Sequence, residues 1–325
     1  MKIDLVYLWV DGSDEKWLAK KNIELAKANK PPVKSGVKVS RWRDNDELLY
    51  SLRSVEKFAP WINHIFIVTD EQCPKWLNVK NPKITVVDHK QIIPEDMLPL
   101  FNASALEIFL WNIPGLSEHF LFANDDMFFG NTVEPSFFFD ETGNPIVIFK
   151  GRHYINIRRR QTQWNSLQVI RKHFGIEYNL APKHAIEPYR RSYVQESAQK
   201  YYDEIILPSV TPFRTEDNVK RTAFPLIDNA LGRNTITMNW RVSKKRIVYD
   251  HKIETTTRMV CRKLLWFFAT IFGFIKYDSF DKKTFIVTFL KLYRPKLFCI
   301  NDYGSFEGKA KFLKKMFPEK SVFEL

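Results

Sequence analysis

At 325 residues, 45% hydrophobic and 15% aromatic, the chain can bury a sizeable core in one large domain or two smaller ones, which excludes global disorder. A formal net charge of +13 favours an anionic partner: a phosphorylated substrate, a polyanionic polymer, acidic lipid or nucleic acid. Zinc-finger spacing and RNA-binding aromatic motifs are missing, which sets nucleic acid aside. Cys73, Cys261 and Cys299 are too scattered for a metal set and too few for a disulfide framework, as suits a reducing cytosol.

Ile3 to Val10 reads as a buried first strand, interrupted at Asp4, so no signal peptide is expected. It ends in Asp11-Gly12-Ser13-Asp14. Nucleotide-binding α/β folds place a ligand loop after the first strand. The same residues also read as caps, Asp11 or Ser13, of a helix from near Glu15. Residues 18–40, rich in Lys and Ala and then Pro31-Pro32, predict that helix and an exposed loop. Arg41-Trp42-Arg43-Asp44-Asn45 leads into Leu48, Leu49, Leu52 and Val55 at helical spacing, with Asp44 or Asn45 as N-cap. Two arginines before a helix N-terminus make an anion site, or the solvated side of an amphipathic helix. Ile65 to Thr69 and Ile84 to Asp88 read as the second and third strands, with a turn at Pro74 to Leu77 between them. A helix from Phe101 to about Trp111 is stopped by Pro114-Gly115.

The next stretch is the one the chemistry hangs on. The apolar run Phe120-Leu121-Phe122-Ala123 breaks on Asn124-Asp125-Asp126 and resumes at once as Met127-Phe128-Phe129. Adjacent carboxylates in so apolar a setting are costly unless paired, hydrated or bound to metal. A core strand ending at a cleft explains the pattern, because ligands of open α/β sheets bind at carboxyl ends of strands. Oxygen ligands of this kind suit Mg²⁺ or Mn²⁺ bridging a nucleotide diphosphate. A strand-end turn with two solvated acids is the plainer reading. Strands alternating with helices over residues 1–150 predict a three-layer α/β core with a largely parallel, nucleotide-binding, Rossmann- or GT-A-like sheet.

Over residues 151–325 the alternation fades, and a mixed, mainly helical region is expected to complete the site on the acceptor side. Ile157-Arg158-Arg159-Arg160 is a basic cluster or a solvated face. His184 sits in a loop bounded by Pro182 and Pro188, Thr211 to Asn218 is a loop entering a helix, and Thr235 to Tyr249 holds one or two short strands. Leu264 to Ile275 is the most apolar run, too short to span a bilayer, and reads as a core helix or an interfacial anchor flanked by Arg258, Arg262, Lys263 and Lys276. Phe298-Cys299-Ile300 closes on Asn301-Asp302, and a basic helix follows.

Four blocks resemble the Stealth family of sugar-1-phosphate transferases: IDLVYLWVDGSD from Ile3; Arg41 to Gly130, with RWRDNDELLYSLRS, PKWL, LPLFNASALE and PGLSEHFLFANDDMFFG; a looser block from Lys183-His184 to Phe213-Arg214-Thr215-Glu216-Asp217; and Cys299 to Asp302 with Phe317-Pro318 and Phe323-Glu324. Trp42 stands where Phe is more usual and Leu49 where Arg is common. The resemblance implies that a nucleotide-activated sugar, usually UDP-linked, gives its sugar 1-phosphate to a hydroxyl of a glycan or lipid-linked oligosaccharide, with UMP leaving and a phosphodiester forming. It implies Asp125 and Asp126 as ligands of Mg²⁺ or Mn²⁺, helped by Asp11, with Arg43 and Arg214 as phosphate clamps. It implies His184 as general base, oriented by Asp217 or Glu187, with Asp302 as the rival base or a second metal ligand. Asp44, Asn45, Arg53, Asn102, Asn124, Asp217 and Asn301 are expected to bind substrate. The enzyme is expected in the cytoplasm, with peripheral contact to anionic lipid at the inner membrane face. A conventional metal-dependent glycosyltransferase releasing UDP, and a non-catalytic polysaccharide- or membrane-binding protein, are the rival classes.

Overall fold

The computed structural model describes residues 1–28, 32–33, 36–37, 41–151, 160–178, 180–182, 185–238, 241–243, 274–277, 296–300 and 308–325. Their strands are β1 (Ile3–Leu8), β2 (Ile65–Thr69), β3 (Ile84–Asp88), β4 (His119–Asn124), β5 (Met127–Phe129), β6 (Ile146–Gly151), β7 (Leu180–Pro182), β8 (Glu187–Arg190), β9 (Thr235–Met238), β10 (Arg241–Ser243), β11 (Phe274–Tyr277) and β12 (Leu297–Ile300). The helices are α1 (Glu15–Lys27), α2 (Glu47–Phe58), α3 (Ala103–Leu106), α4 (Gln161–Phe174), α5 (Arg191–Lys200), α6 (Ala223–Ala230) and α7 (Gly308–Met316).

The central sheet has the order β3-β2-β1-β4-β8. Its first four strands are parallel, with Leu8 beside both Val68 and Asn124. β1, β2 and β4 read as largely apolar runs because both their faces are covered, whereas β3, at the edge, leaves Thr85 exposed. Along β1, Val6 and Leu8 pack into one buried layer and Ile3, Leu5 and Tyr7 into the other. Phe120 and Phe122 of β4 join the first layer, Leu121 and Ala123 the second. Three layers result, as the alternation of strand and helix predicts. Asp4, the polar interruption in β1, is buried but satisfied: Asn63 Nδ2 and the Ser117 N–H each donate to it at 2.7 Å.

Several elements differ from their sequence reading. The cap of α1 is Asp14, whose side chain accepts from the Trp17 N–H, not Asp11 or Ser13. The N-cap position of α2 is Asp46, with left-handed φ of 61°, while Asp44 accepts its N–H at 3.0 Å. The helix expected over 101–111 is one short α turn, α3, continued as a 3₁₀ segment over Glu107–Asn112. Beyond residue 150 strands accompany the helices, and they interlock with the first half: β8 runs antiparallel along β4, and β12 pairs with β5. Pro188 is tolerated in β8, opposite Leu121, because this is the edge strand and the missing N–H costs no ladder bond there. Thr235 to Ser243 supplies the antiparallel pair β9 and β10 of a second sheet, β10-β9-β6-β7.

Arg158, Arg159, His184, Asn301, Asp302 and residues 264–273 of the apolar run lie outside the described residues; Phe274 and Ile275 belong to β11. Among the described residues no helix is long and apolar enough to cross a membrane.

Candidate functional site

Strand order reverses between β1 and β4, with β2 and β3 on one side and β4 on the other. The carboxyl ends of those two strands therefore frame the crevice where open parallel sheets bind ligands. The polar turn after β1 enters it. Asp11 Oδ1 accepts from the N–H and the hydroxyl of Ser13 at 2.9 and 2.6 Å, and the Asp11 backbone is gripped by the Gln72 amide through both its N–H and its C=O. Gly12 lies against the Trp42 backbone, where a Cβ would meet the Trp42 carbonyl oxygen at 2.4 Å. Only glycine lets the two loops close this tightly.

Asp125 and Asp126 form the two-residue turn between β4 and β5, half-buried at the end of the strand next to β1. Three anchors fix it. Ser51 of α2 donates to the Met127 carbonyl and shares a 2.7 Å hydrogen bond with the Tyr7 hydroxyl. Ser54, one turn further along α2, accepts from the Phe129 N–H at 3.0 Å. The Ile300 N–H donates to the Asp126 carbonyl at 3.0 Å, so β12 ends beside the turn. Burial first, and then the Asp125 charge, holds the Tyr7 phenol above its usual range. Among the described residues no three His, Cys, Asp or Glu side chains converge as a ready-made cage. Two carboxylates on a fixed turn nonetheless suit Mg²⁺, which keeps waters and completes its shell with substrate phosphates.

The loop before α2 forms the second wall. Asn45 commits its N–H and its side-chain amide to Glu47, at 2.6 and 3.0 Å. Arg43 is exposed. Asp44 carries a pKa raised to about 6, by burial first and then by Glu47 and Asp46. An unfolded Asp titrates near 3.9, so between about pH 4 and 6 the folded state holds the extra proton and stability falls as pH rises. Asp44→Asn is expected to flatten that slope and to add about 1 kcal/mol at pH 7.5, after discounting for partial exposure. Urea midpoints at pH 4 and pH 7.5 test this; no gain at the higher pH sinks it.

The third wall is cationic. Arg214 Nη2 donates to Ser104 Oγ at 2.8 Å, and its Nε is buried with no hydrogen-bond partner among the described residues. Burial, then the neighbouring Arg41, lowers its pKa to about 10, which leaves it charged at neutral pH. Lys220 is driven further, to about 7, by burial and then by Arg214, with Arg221 and Arg160 adding to the push. Arg221 is bound by Glu107, by Glu187 at 3.0 Å and by the Tyr189 hydroxyl. Five cations thus share a partly buried neighbourhood with two carboxylates, Glu107 and Glu187. A partly buried cluster with more cations than carboxylates suits an anionic ligand. Glu107, Ser104, Lys220 and Arg221 were not singled out in the sequence, because the contacts that gather them span more than 100 residues.

An aromatic cluster ties the walls together. Trp17 of α1 meets Trp42 at 5.9 Å and Phe101 at 5.4 Å, and Phe101 stacks on Phe213, next to Arg214. Asn102 works inside this scaffold. It is buried, caps α3 through the Ser104 N–H and donates to Asn218 at 2.9 Å. Asn124 is half-buried at the end of β4, and Asp217 is exposed. The Glu187 carboxylate is occupied by Arg221 and Tyr189.

Arg53 sits elsewhere. Its guanidinium makes a two-pronged pair with Glu324 at 2.8 and 2.7 Å and donates to the Phe317 carbonyl, stapling the C-terminal segment to α2. Both side chains are largely buried, 14% and 5% exposed. Arg53→Ala strands the Glu324 charge and is expected to cost about 3 kcal/mol in urea unfolding without raising the KM of any substrate. Unchanged stability with a raised KM returns Arg53 to the substrate.

Residues 41–147 match the profile described as Stealth protein CR2, conserved region 2, and residues 1–27 that of CR1, conserved region 1. The exopolysaccharide phosphotransferase cps2G of Lactiplantibacillus plantarum is 44% identical over 182 residues, 53% of this chain and 52% of that one. The capsular polysaccharide phosphotransferase fcs1 of Haemophilus influenzae is 35% identical over 231 residues, 68% and 63% of the two chains. This chain therefore spans between about half and two thirds of the length of these relatives. Among solved structures, the glycosyltransferase GlyE of Streptococcus pneumoniae aligns with 98% of this chain and 61% of its own at 10% identity and a TM-score of 0.44.

Proposed function

We propose, for a chain that belongs to the Stealth family through its conserved regions 1 and 2, the transfer of a hexose 1-phosphate or N-acetylhexosamine 1-phosphate from a UDP-sugar to a hydroxyl of a surface polysaccharide or its lipid-linked precursor. The observation that carries this reading is the Asp125-Asp126 turn at the carboxyl end of β4, next to β1, in a chain that also gathers partly buried cations around Arg214. Acids alone would suit a cation, and bases alone an anion. Both together suit a metal–diphosphate.

In the reaction, the acceptor oxygen bonds to the β-phosphorus of the donor, and the bond from that phosphorus to the bridging oxygen breaks. UMP leaves with that oxygen, and the sugar's anomeric bond stays intact. Asp125 and Asp126 would hold Mg²⁺ or Mn²⁺, which when bound supplies charge neutralisation on the phosphates. Arg214, fixed by Ser104, would grip non-bridging oxygens through its planar fork. Arg43, at the mouth, and Asp11, on the turn after β1, would position the diphosphate. His184 is the proposed acceptor of the hydroxyl proton, with Asp302 as its rival. An unperturbed imidazole titrates near neutrality, about pH 6.5. The enzyme works in this reading at the cytoplasmic face of the cell membrane, where a lipid-linked acceptor and anionic headgroups meet a protein of net charge +13.

A panel of UDP-sugars incubated with purified chain, Mg²⁺ and capsular oligosaccharides decides the matter by the nucleotide released. UMP together with a new phosphodiester supports the proposal. UDP instead makes the protein a conventional glycosyltransferase, and no turnover of any donor leaves a binding protein.

A further inference from the structure

A hollow of about 700 Å³ opens at the carboxyl edge of β2 and β3, walled by Lys20 and Ile23 of α1, Asp70 and Glu71 after β2, Lys90, and Leu98. It stands one to two strand spacings from the β1–β4 crevice, roughly 5–10 Å. Gln72, the residue after Glu71, joins the two places: it donates to the Asp11 carbonyl at 2.9 Å and accepts from the Asp11 N–H at 3.1 Å. A ligand with its phosphates against the crevice would thus run along the sheet edge into the hollow.

The polar side of the hollow is built and incomplete. Asp70 is 7% exposed. Its Oδ1 accepts from Lys20 Nζ at 2.7 Å, but its Oδ2 is buried with no hydrogen-bond partner among the described residues. A buried carboxylate oxygen without a donor is costly in isolation. Glu71 is held in the left-handed region, φ 55°, by Asp88 accepting its N–H at 2.7 Å, and its carboxylate is tied to Lys20 and Lys90. In parallel nucleotide-binding sheets the acid at the end of the second strand takes the ribose hydroxyls. Apolar surface is supplied by Leu98 and by Ile23, whose side chain is 55% exposed on α1, with Glu24 and Glu95 beside them.

We propose that this hollow receives the nucleoside of the donor, with Asp70 accepting from the ribose hydroxyls and Ile23 and Leu98 flanking the base. The proposal rests on the nucleotide-sugar reading above and names where the half of the donor that is not transferred is held.

Calorimetric titration of the full chain with UDP and, separately, with inorganic pyrophosphate, both with Mg²⁺, tests it. Asp70→Asn removes the acceptor. Ile23→Trp fills the hollow from an exposed position that the fold does not depend on. Each is expected to weaken UDP at least about tenfold while leaving pyrophosphate unchanged, since a hydrogen bond to a charged group is worth about a factor of ten or more. Should Asp70→Asn lose both ligands through misfolding, Ile23→Trp decides. Wild-type affinity for UDP in Ile23→Trp overturns the proposal, as does a wild-type chain that binds UDP no better than pyrophosphate. A wild-type chain that binds neither ligand overturns the donor reading itself.

Discussion

Asp126→Asn is expected to abolish sugar-phosphate transfer, by at least about 10³-fold in kcat, and to leave the fold as it is. The substitution keeps the shape of the side chain and removes only its charge. The backbone of Asp126, whose carbonyl accepts from Ile300, is untouched. The turn is also fixed from α2, by Ser51 on the Met127 carbonyl and Ser54 on the Phe129 N–H, anchors that the substitution leaves in place. The loss should therefore appear as a demand for metal rather than as instability. Transfer would be followed by UMP release over a Mg²⁺ titration, with urea unfolding alongside. Near wild-type activity at limiting Mg²⁺ would show that the carboxylate has no part in the chemistry.

Arg214→Lys is expected to lower kcat/KM by about 10- to 150-fold, the equivalent of one charge-assisted contact of about 1.5–3 kcal/mol. Charge is retained in this variant, so the test isolates geometry. The arginine holds Ser104 with one nitrogen and keeps Nε buried and free of any hydrogen bond among the described residues. A lysine ammonium cannot present two parallel donors to one phosphate. Ser104→Ala, which only loosens the guanidinium, should give the same sign of effect and a smaller size. Arg214→Lys with unchanged kcat/KM would move the phosphate to another part of the cationic wall.

Much of this molecule is legible in its sequence, for physical reasons. β1, β2 and β4 are covered on both faces, so they appear as largely apolar runs, and charged or amide residues mark the strand ends: Asp11 after β1, Asp70 after β2, Asp88 closing β3, Asn124 closing β4. The Asp125-Asp126 turn stands out because charge is out of place there. β8 was hidden, since Pro188 and the charged ends of Glu187–Arg190 read as loop, and only an edge position in the sheet makes them a strand. Arg53 was misplaced for a different reason. A motif that is shared along its length does not separate side chains that touch ligand from side chains that hold the chain ends together, and Glu324 is 271 residues away. Apart from Arg214, the cationic wall escaped for the same cause: Glu107 and Arg221, which pair in it, are 114 residues apart.

The cluster of Trp17, Trp42, Phe101 and Phe213 gathers side chains separated by up to 196 positions in the chain, whereas β1, β2 and β3 assemble from the first 88 residues. Closing the longer loops costs more chain entropy and comes later. The four rings are thus expected to form a seam that opens before the sheet does. Native-state hydrogen exchange should divide accordingly. The amides of β1 and β2 should exchange only through global unfolding, while Gly12 and Phe101, hydrogen-bonded across the seam to Trp42 and Pro212, should exchange together through a smaller opening. Saturating nucleotide would slow the second group and not the first.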